Sequence, residues 1–316
     1  MKLTFWQKIQ FYFLWWTCRL IGLLPERVLY EGLGGLVHVV LYRIVRYRLK
    51  VVRENLAHSF PEKREVERRE IERKFYWQLA EVFVDTVYLA TISKKRICER
   101  MVYPNTAEVE AAMQGQSWIS AMSHFGSWEL TINYVCHTDH NVLAVYRPLH
   151  SVAFDLYYHR ARARFGTQPV PMNDILREVV HAHRPGGRPV IVAMIADQTP
   201  PILDIRHWFR FLNQDTPFFS GLEKISTRFK MPIYFMYIRK RPNHSYEADL
   251  QLIYDGKEEL AEYELTQRYI DKLEAMIRET PELWMWSHRR WKHSPESVAR
   301  YHEEKRKAKN NEVRKH

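Results

Sequence analysis

Short apolar and β-branched runs alternating with helix-like segments constrain this chain more than any other feature. The runs fall at residues 117–123 (SWISAMS), 142–147 (VLAVYR), 188–196 (RPVIVAMIA), 231–240 (MPIYFMYIRK) and 246–253. Segments with helical spacing separate or follow them at 128–136, 152–165, 175–183, 221–229 and 263–279. Strand, helix, strand repeated in this way predicts βαβ units, because parallel strands need a long crossover that a helix supplies. The expected fold is α/β, a mostly parallel mixed sheet flanked by helices. No internal repeat, no GxGxxG and no phosphate-binding lysine loop interrupts the pattern, so nucleotide chemistry has no support.

The first half reads differently. Residues 5–24 (FWQKIQFYFLWWTCRLIGLL) are dense in aromatics, but the apolar core from 11 to 24 is short and carries Arg19. A bilayer core asks for about 20 apolar residues in a helix. An interfacial helix fits better, with Lys8 and Arg19 reaching up to the headgroups. Pro25 suits the first turn of a new helix. Residues 28–52 form a second apolar segment that ends in Arg43, Arg46, Arg48 and Lys50, a basic collar of the kind anionic headgroups attract. Residues 63–92 read as one long scaffold helix, charged first and apolar later. The division expected is therefore membrane-associated N-terminal helices at 1–52, the α/β domain at 53–294, and a basic tail at 295–316, a helix end fading into disorder.

A formal charge of +11 calls for anionic partners. Nucleic acid is set aside, since the basic residues cluster around apolar helices. The 10 Trp and 18 Tyr favour a bilayer interface. The 3 cysteines, Cys18, Cys98 and Cys136, are scattered and suggest a reducing compartment. The apolar start lacks a small-residue cleavage site, so it does not read as a secretory signal.

The sharpest local signal is Ser123-His124-Phe125-Gly126-Ser127-Trp128-Glu129. It begins where the first expected strand ends, and a turn at the carboxyl end of a sheet is where open α/β folds place their sites. Across that turn the Glu129 carboxylate could hold one imidazole nitrogen of His124 protonated, freeing the other to take a hydroxyl proton. Gly126 could expose amide donors to a developing oxyanion. A His and a Glu at this spacing also occur as purely structural residues, and the spacing alone does not choose. A zinc site needs at least three protein ligands. His137 and His140, three residues apart, fall in a polar loop where solvated side chains are expected.

His124-Phe125-Gly126-Ser127-Trp128-Glu129 resembles the H-F-G-x-W-E block of bacterial lipid A late acyltransferases. Further blocks follow in the family's order. They are Asn55-Leu56 with Phe60-Pro61, Tyr146-Arg147-Pro148, Arg162 with Arg164 close behind, Ala196-Asp197-Gln198, and Trp284-Met285-Trp286-Ser287-His288-Arg289-Arg290-Trp291-Lys292. The resemblance implies an O-acyltransferase with His124 as general base and Glu129 orienting it. Arg147 and Arg162 would hold phosphates, and Asp197 would fix Arg162 or a substrate hydroxyl. Gly126 and Arg164 would complete the substrate site, whereas Arg289 and Arg290 would be structural or lie at an interface. No metal or resident cofactor is implied. The co-substrate would be acyl carrier protein or acyl-coenzyme A, with the acidic carrier favoured by the positive charge. The acceptor would be a membrane lipid at the cytoplasmic face of a bacterial inner membrane, with an apolar acyl channel starting beside His124. Ser127, Leu149-His150-Ser151 and Thr199-Pro200-Pro201 depart from the family pattern. They leave the acceptor open between lipid A and another glycolipid, phospholipid or aminolipid. A non-catalytic membrane scaffold is the remaining alternative.

Overall fold

The computed structural model describes residues 3–313, with side-chain burial described through 307. Among the described residues nine strands form: β1 (Met101–Val102), β2 (Trp118–Met122), β3 (Asn141–Tyr146), β4 (Gln168–Pro171), β5 (Val190–Ile195), β6 (Phe209–Phe211), β7 (Gln214–Thr216), β8 (Ile233–Arg241) and β9 (Ser245–Tyr254). Seven make one sheet in the order β1-β9-β8-β2-β5-β3-β4. Every neighbouring pair in it is parallel except the β8–β9 hairpin, as expected for a mostly parallel mixed sheet. β6 and β7 form a separate small hairpin.

Burial explains the sequence runs. All of β2 is buried, so its sequence is continuously apolar or small, as a strand covered on both faces requires. β9 alternates buried and half-exposed positions because its outer face meets solvent. The helices Val152–Ala163, Ile175–Ala182, Gly221–Phe229 and Glu264–Glu279 fall where the helical spacing puts them. The segment Trp128–Cys136 is a 3-10 helix, tighter than the α-helix its spacing suggests.

The N-terminal helix Phe5–Gly22 opens on a capping box: Thr4 Oγ1 accepts from the Gln7 amide at 3.3 Å while Gln7 Oε1 accepts from the Thr4 amide at 2.9 Å. One face, Phe11, Trp15 and Cys18, joins the main core, and Trp15 lies 5.8 Å from Tyr157 on the helix Val152–Ala163. Its opposite face leaves Phe5, Trp6, Tyr12, Phe13, Trp16 and Leu20 exposed. No single described helix is long and apolar enough to cross a membrane.

The second apolar segment is not one unit. It is helical from Val28 to Ile44 with π-helical turns at both ends, then breaks and restarts at an 85° bend as Leu49–Ser59. The break is a turn in which Arg46 (φ 50°) and Arg48 (φ 52°) take the left-handed conformation, uncommon for side chains of this size. The long scaffold helix runs from Glu65 to Tyr88. Basic tail residues form the helix Pro295–Val313, and 314–316 lie outside the described residues.

Candidate active site

β2 and β5 are parallel and in register, with Met122 opposite Ile195. Both strands end at that pair, and the chain two residues beyond each end brings His124 and Asp197 side by side at the carboxyl edge of the sheet. His124 Nδ1 lies 2.7 Å from Asp197 Oδ1, and the His124 amide donates to Asp197 Oδ2 at 3.0 Å. Trp284 Nε1 donates to the same Oδ2 at 2.8 Å. Asp197 is 2 % exposed and His124 20 %. Burial alone would raise the Asp197 pKa, but the facing imidazole and these donors outweigh it and hold the carboxyl below its ordinary range. An ionised Asp197 fixes the proton of a neutral imidazole on Nδ1 and leaves Nε2 as an acceptor. Gln198 Nε2 lies 3.2 Å from that Nε2, and Trp128 stands edge-on to the ring at 5.1 Å.

The carboxylate on His124 is therefore that of Asp197, not the expected one of Glu129. Phe125 and Gly126 turn the chain between them, and Glu129 emerges facing the helix after β3. There Arg162 grips it with two bonds, Nε to Oε2 at 3.1 Å and Nη2 to Oε1 at 2.7 Å. Burial opposes the Arg162 charge, yet Glu129 more than compensates and raises its pKa. Arg162 thus meets a carboxylate of this chain where a bound anion was expected, and that carboxylate is not Asp197.

His124, Glu129 and Arg162 line one cavity of about 780 Å³, inside the range of about 300–1,000 Å³ typical of ligand sites. Met122, Ile132, Val142, Ala144, Ala193 and Ile195 give it an apolar inner wall, and Arg147, Arg48 and His150 edge it with polar groups. Arg147 is exposed and has no hydrogen-bond partner among the described residues. Two expected contributors are occupied elsewhere. Arg164 donates to the carbonyls of Leu89 and Ile92 and does not line the cavity. The Gly126 amide donates to the Leu283 carbonyl at 2.9 Å, so it is no free oxyanion donor. Gly126 is instead required by its positive φ of 58° and by Tyr246, which a Cβ there would meet at 3.0 Å.

The segment after Leu283 clamps the turn that carries His124. It pairs antiparallel with it through Phe125 and Trp284, and the Met285 amide donates to the His124 carbonyl at 3.2 Å. Trp284 and Gln198 are thereby site residues that spacing did not single out, although both stand inside conspicuous motifs. His288 is largely buried, and burial followed by the Arg290 charge pushes its pKa down to about 4. Arg290 is fully buried, donates to the Pro217 carbonyl at 2.6 Å and stacks over Phe218. Ser127 Oγ donates to Asp85, which pairs with Arg100 inside the core, so this departure from the usual block ties the turn to the scaffold helix.

Among the described residues no group of three or more His, Cys, Asp or Glu side chains could hold a metal ion. His140 is not the solvated residue its loop suggests. It is buried between the Gln116 carbonyl and the Glu110 carboxylate, each 3.0 Å away.

No curated protein is significantly similar to the chain. The profile of one family, described as bacterial lipid A biosynthesis acyltransferase, matches residues 2–293, nearly the whole length and every element that builds the cavity. The chain belongs to the bacterial lipid A biosynthesis acyltransferase family.

Proposed function

We propose that this protein is an O-acyltransferase that moves a fatty acyl chain from an acyl carrier thioester to a hydroxyl of a lipid A precursor at the cytoplasmic face of the inner membrane. The observation that carries the proposal is the Asp197–His124 pair, whose Nε2 is left as an acceptor in a cavity with an apolar wall. His124 Nε2 takes the acceptor hydroxyl proton as the oxygen attacks the thioester carbonyl. Asp197 steadies the imidazolium that forms, the carbon–sulfur bond breaks, and the imidazolium returns its proton to the departing thiolate. The products are an ester and a free thiol, and the enzyme ends as it began. Glu129 keeps the role of shaping the site, now through Arg162: it sets that guanidinium at the cavity wall, where it and Arg147 meet substrate phosphate or the carrier's arm. The exposed aromatic face of Phe5–Gly22 supports a seat on the membrane surface.

The test is incubation of purified protein with acyl carrier thioesters and either a lipid A precursor or an aminolipid, read by mass spectrometry. One acyl mass gained on the lipid A precursor, and reduced about 10²–10⁴-fold in His124→Ala, is the expected result. Acylation of the aminolipid alone would reassign the acceptor. Undiminished transfer by His124→Ala would remove the mechanism.

A further inference from the structure

A second groove, about 760 Å³, lies next to the cavity, and Arg48 lines both. Its walls come from distant parts of the chain: Arg46, Arg48, Lys50 and His58 from the turn and helix after Ile44, Gln214 from β7, and Arg289 and Lys292 from the segment after the catalytic clamp. Arg48 donates to the Ser287 carbonyl at 3.0 Å and so joins the turn after Ile44 to the segment that carries Arg289 and Lys292. One acid lines the groove, Glu54, 3.8 Å from Lys50. Arg46, Arg289 and Lys292 are exposed and have no side-chain partner among the described residues. Arg46 and Arg48 both hold the left-handed backbone conformation, which costs energy and which the chain retains at this turn. Just before them, Ile44 and Val45 are exposed at 69% and 62%. Guanidinium and ammonium groups converging beside exposed apolar side chains fit an amphiphile with a compact, highly charged head.

We propose that this groove binds a phosphomonoester on the lipid acceptor and so aligns the acceptor hydroxyl with His124. The inference rests on the acyl transfer proposed above, and it adds where the acceptor's phosphate sits. A phosphomonoester carries nearly two charges at neutral pH and three acceptor oxygens, which several converging cations satisfy better than they satisfy a singly charged diester.

The test uses the full-length protein and the variant Arg46→Ala/Arg289→Ala/Lys292→Ala. A control, Arg188→Ala/Lys224→Ala/Lys257→Ala, removes the same charge from exposed positions outside the groove. Flotation with phosphatidylcholine vesicles containing phosphatidic acid, a monoester, is compared with vesicles charge-matched by phosphatidylglycerol, a diester. Unmodified protein and control should prefer the monoester vesicles, and the groove variant should lose that preference, about tenfold in binding. Equal weakening on both vesicle types, or by both variants, would reduce the groove to diffuse surface charge and overturn the proposal. In acyl-transfer assays the groove variant, measured against the control, should raise KM for a phosphorylated acceptor and leave KM for the thioester alone. A rise confined to the thioester would put the donor's phosphate there instead and overturn the proposal. If the unmodified protein transfers no acyl group, the transferase reading fails while the flotation result stands by itself.

Discussion

Asp197 carries three hydrogen bonds on a buried carboxylate, so changing its charge without its shape separates orientation from packing. In Asp197→Asn the amide can present a donor to Nδ1 and invert the imidazole tautomer, leaving no acceptor at Nε2. Acyl transfer should fall by roughly 10²–10⁴-fold while circular dichroism stays that of the folded protein. Activity within a few-fold of the parent would deny Asp197 this role. Glu129 and Arg162 call for a stability measurement. Removing one member of a largely buried pair strands the other, at a cost of about 3–5 kcal/mol. Glu129→Ala and Arg162→Ala should each unfold at clearly lower urea, and Glu129→Gln/Arg162→Met should unfold closer to the parent. Equal losses that add in the double variant would mean the pair is not coupled. His288 gives a pH signature. Its pKa is pushed from 6.5 down to about 4 in the folded chain, so the unfolded chain binds the extra proton. Stability from this group is intact above about 6.5 and is lost as pH falls towards about 4. The drop in melting temperature across that window should shrink in His288→Asn, and an unchanged drop would assign it to other groups. The sequence made His124 legible because a strand end followed by a turn is a local signal. Its partner was not legible, because Asp197 stands 73 residues away and arrives only through the β2–β5 register. Glu129 looked the better partner only because it is near along the chain.

At the level of elements, the strands that sequence revealed are the long patterned ones: β2, β5 and β8 carry apolar runs that could be little else, and β3 and the alternating β9 were legible beside them. Those it concealed lie at margins. β4 contains Pro169 and Pro171 and sits at the sheet edge, where a missing amide is tolerated. β1 is two residues long, and the β6–β7 hairpin stands apart from the sheet, so neither has enough pattern to read. The break at Arg46–Arg48 escaped notice because nothing in side-chain chemistry announces a left-handed arginine. The helix Phe5–Gly22 carries a prediction of its own. Its inner face is committed to the core, so substitutions on the outer face should spare the fold and remove membrane affinity. Phe13→Ser/Trp16→Ser/Leu20→Ser takes away three large exposed side chains, each worth about 1.5–3 kcal/mol when buried in an apolar phase. Flotation on neutral phosphatidylcholine vesicles should be nearly abolished with the melting temperature unchanged. Retained flotation would move the membrane contact elsewhere, to the exposed face of Val28–Ile44.

Over the whole molecule, the charge of +11 is a long-range property whose effect depends on where the cations stand. Arg147 and Arg48 edge the cavity, and Arg46, Arg289 and Lys292 lie beside it, so the potential near the mouth is positive. A positive mouth raises the encounter rate of an acidic carrier and does little for an uncharged thioester. Salt separates the two, because the screening length falls from about 10 Å at 0.1 M to about 3 Å at 1 M. With the acceptor saturating, kcat/KM for the acyl carrier protein thioester should fall by about tenfold or more over that range. The value for the corresponding acyl-pantetheine, which has the thioester but neither carrier nor phosphate, should stay nearly flat. Parallel slopes would show that salt acts on the enzyme or the membrane and not on carrier capture. The donor would then be recognised by its thioester and acyl chain inside the cavity, with the protein's charge left to serve the anionic surface and the phosphorylated acceptor.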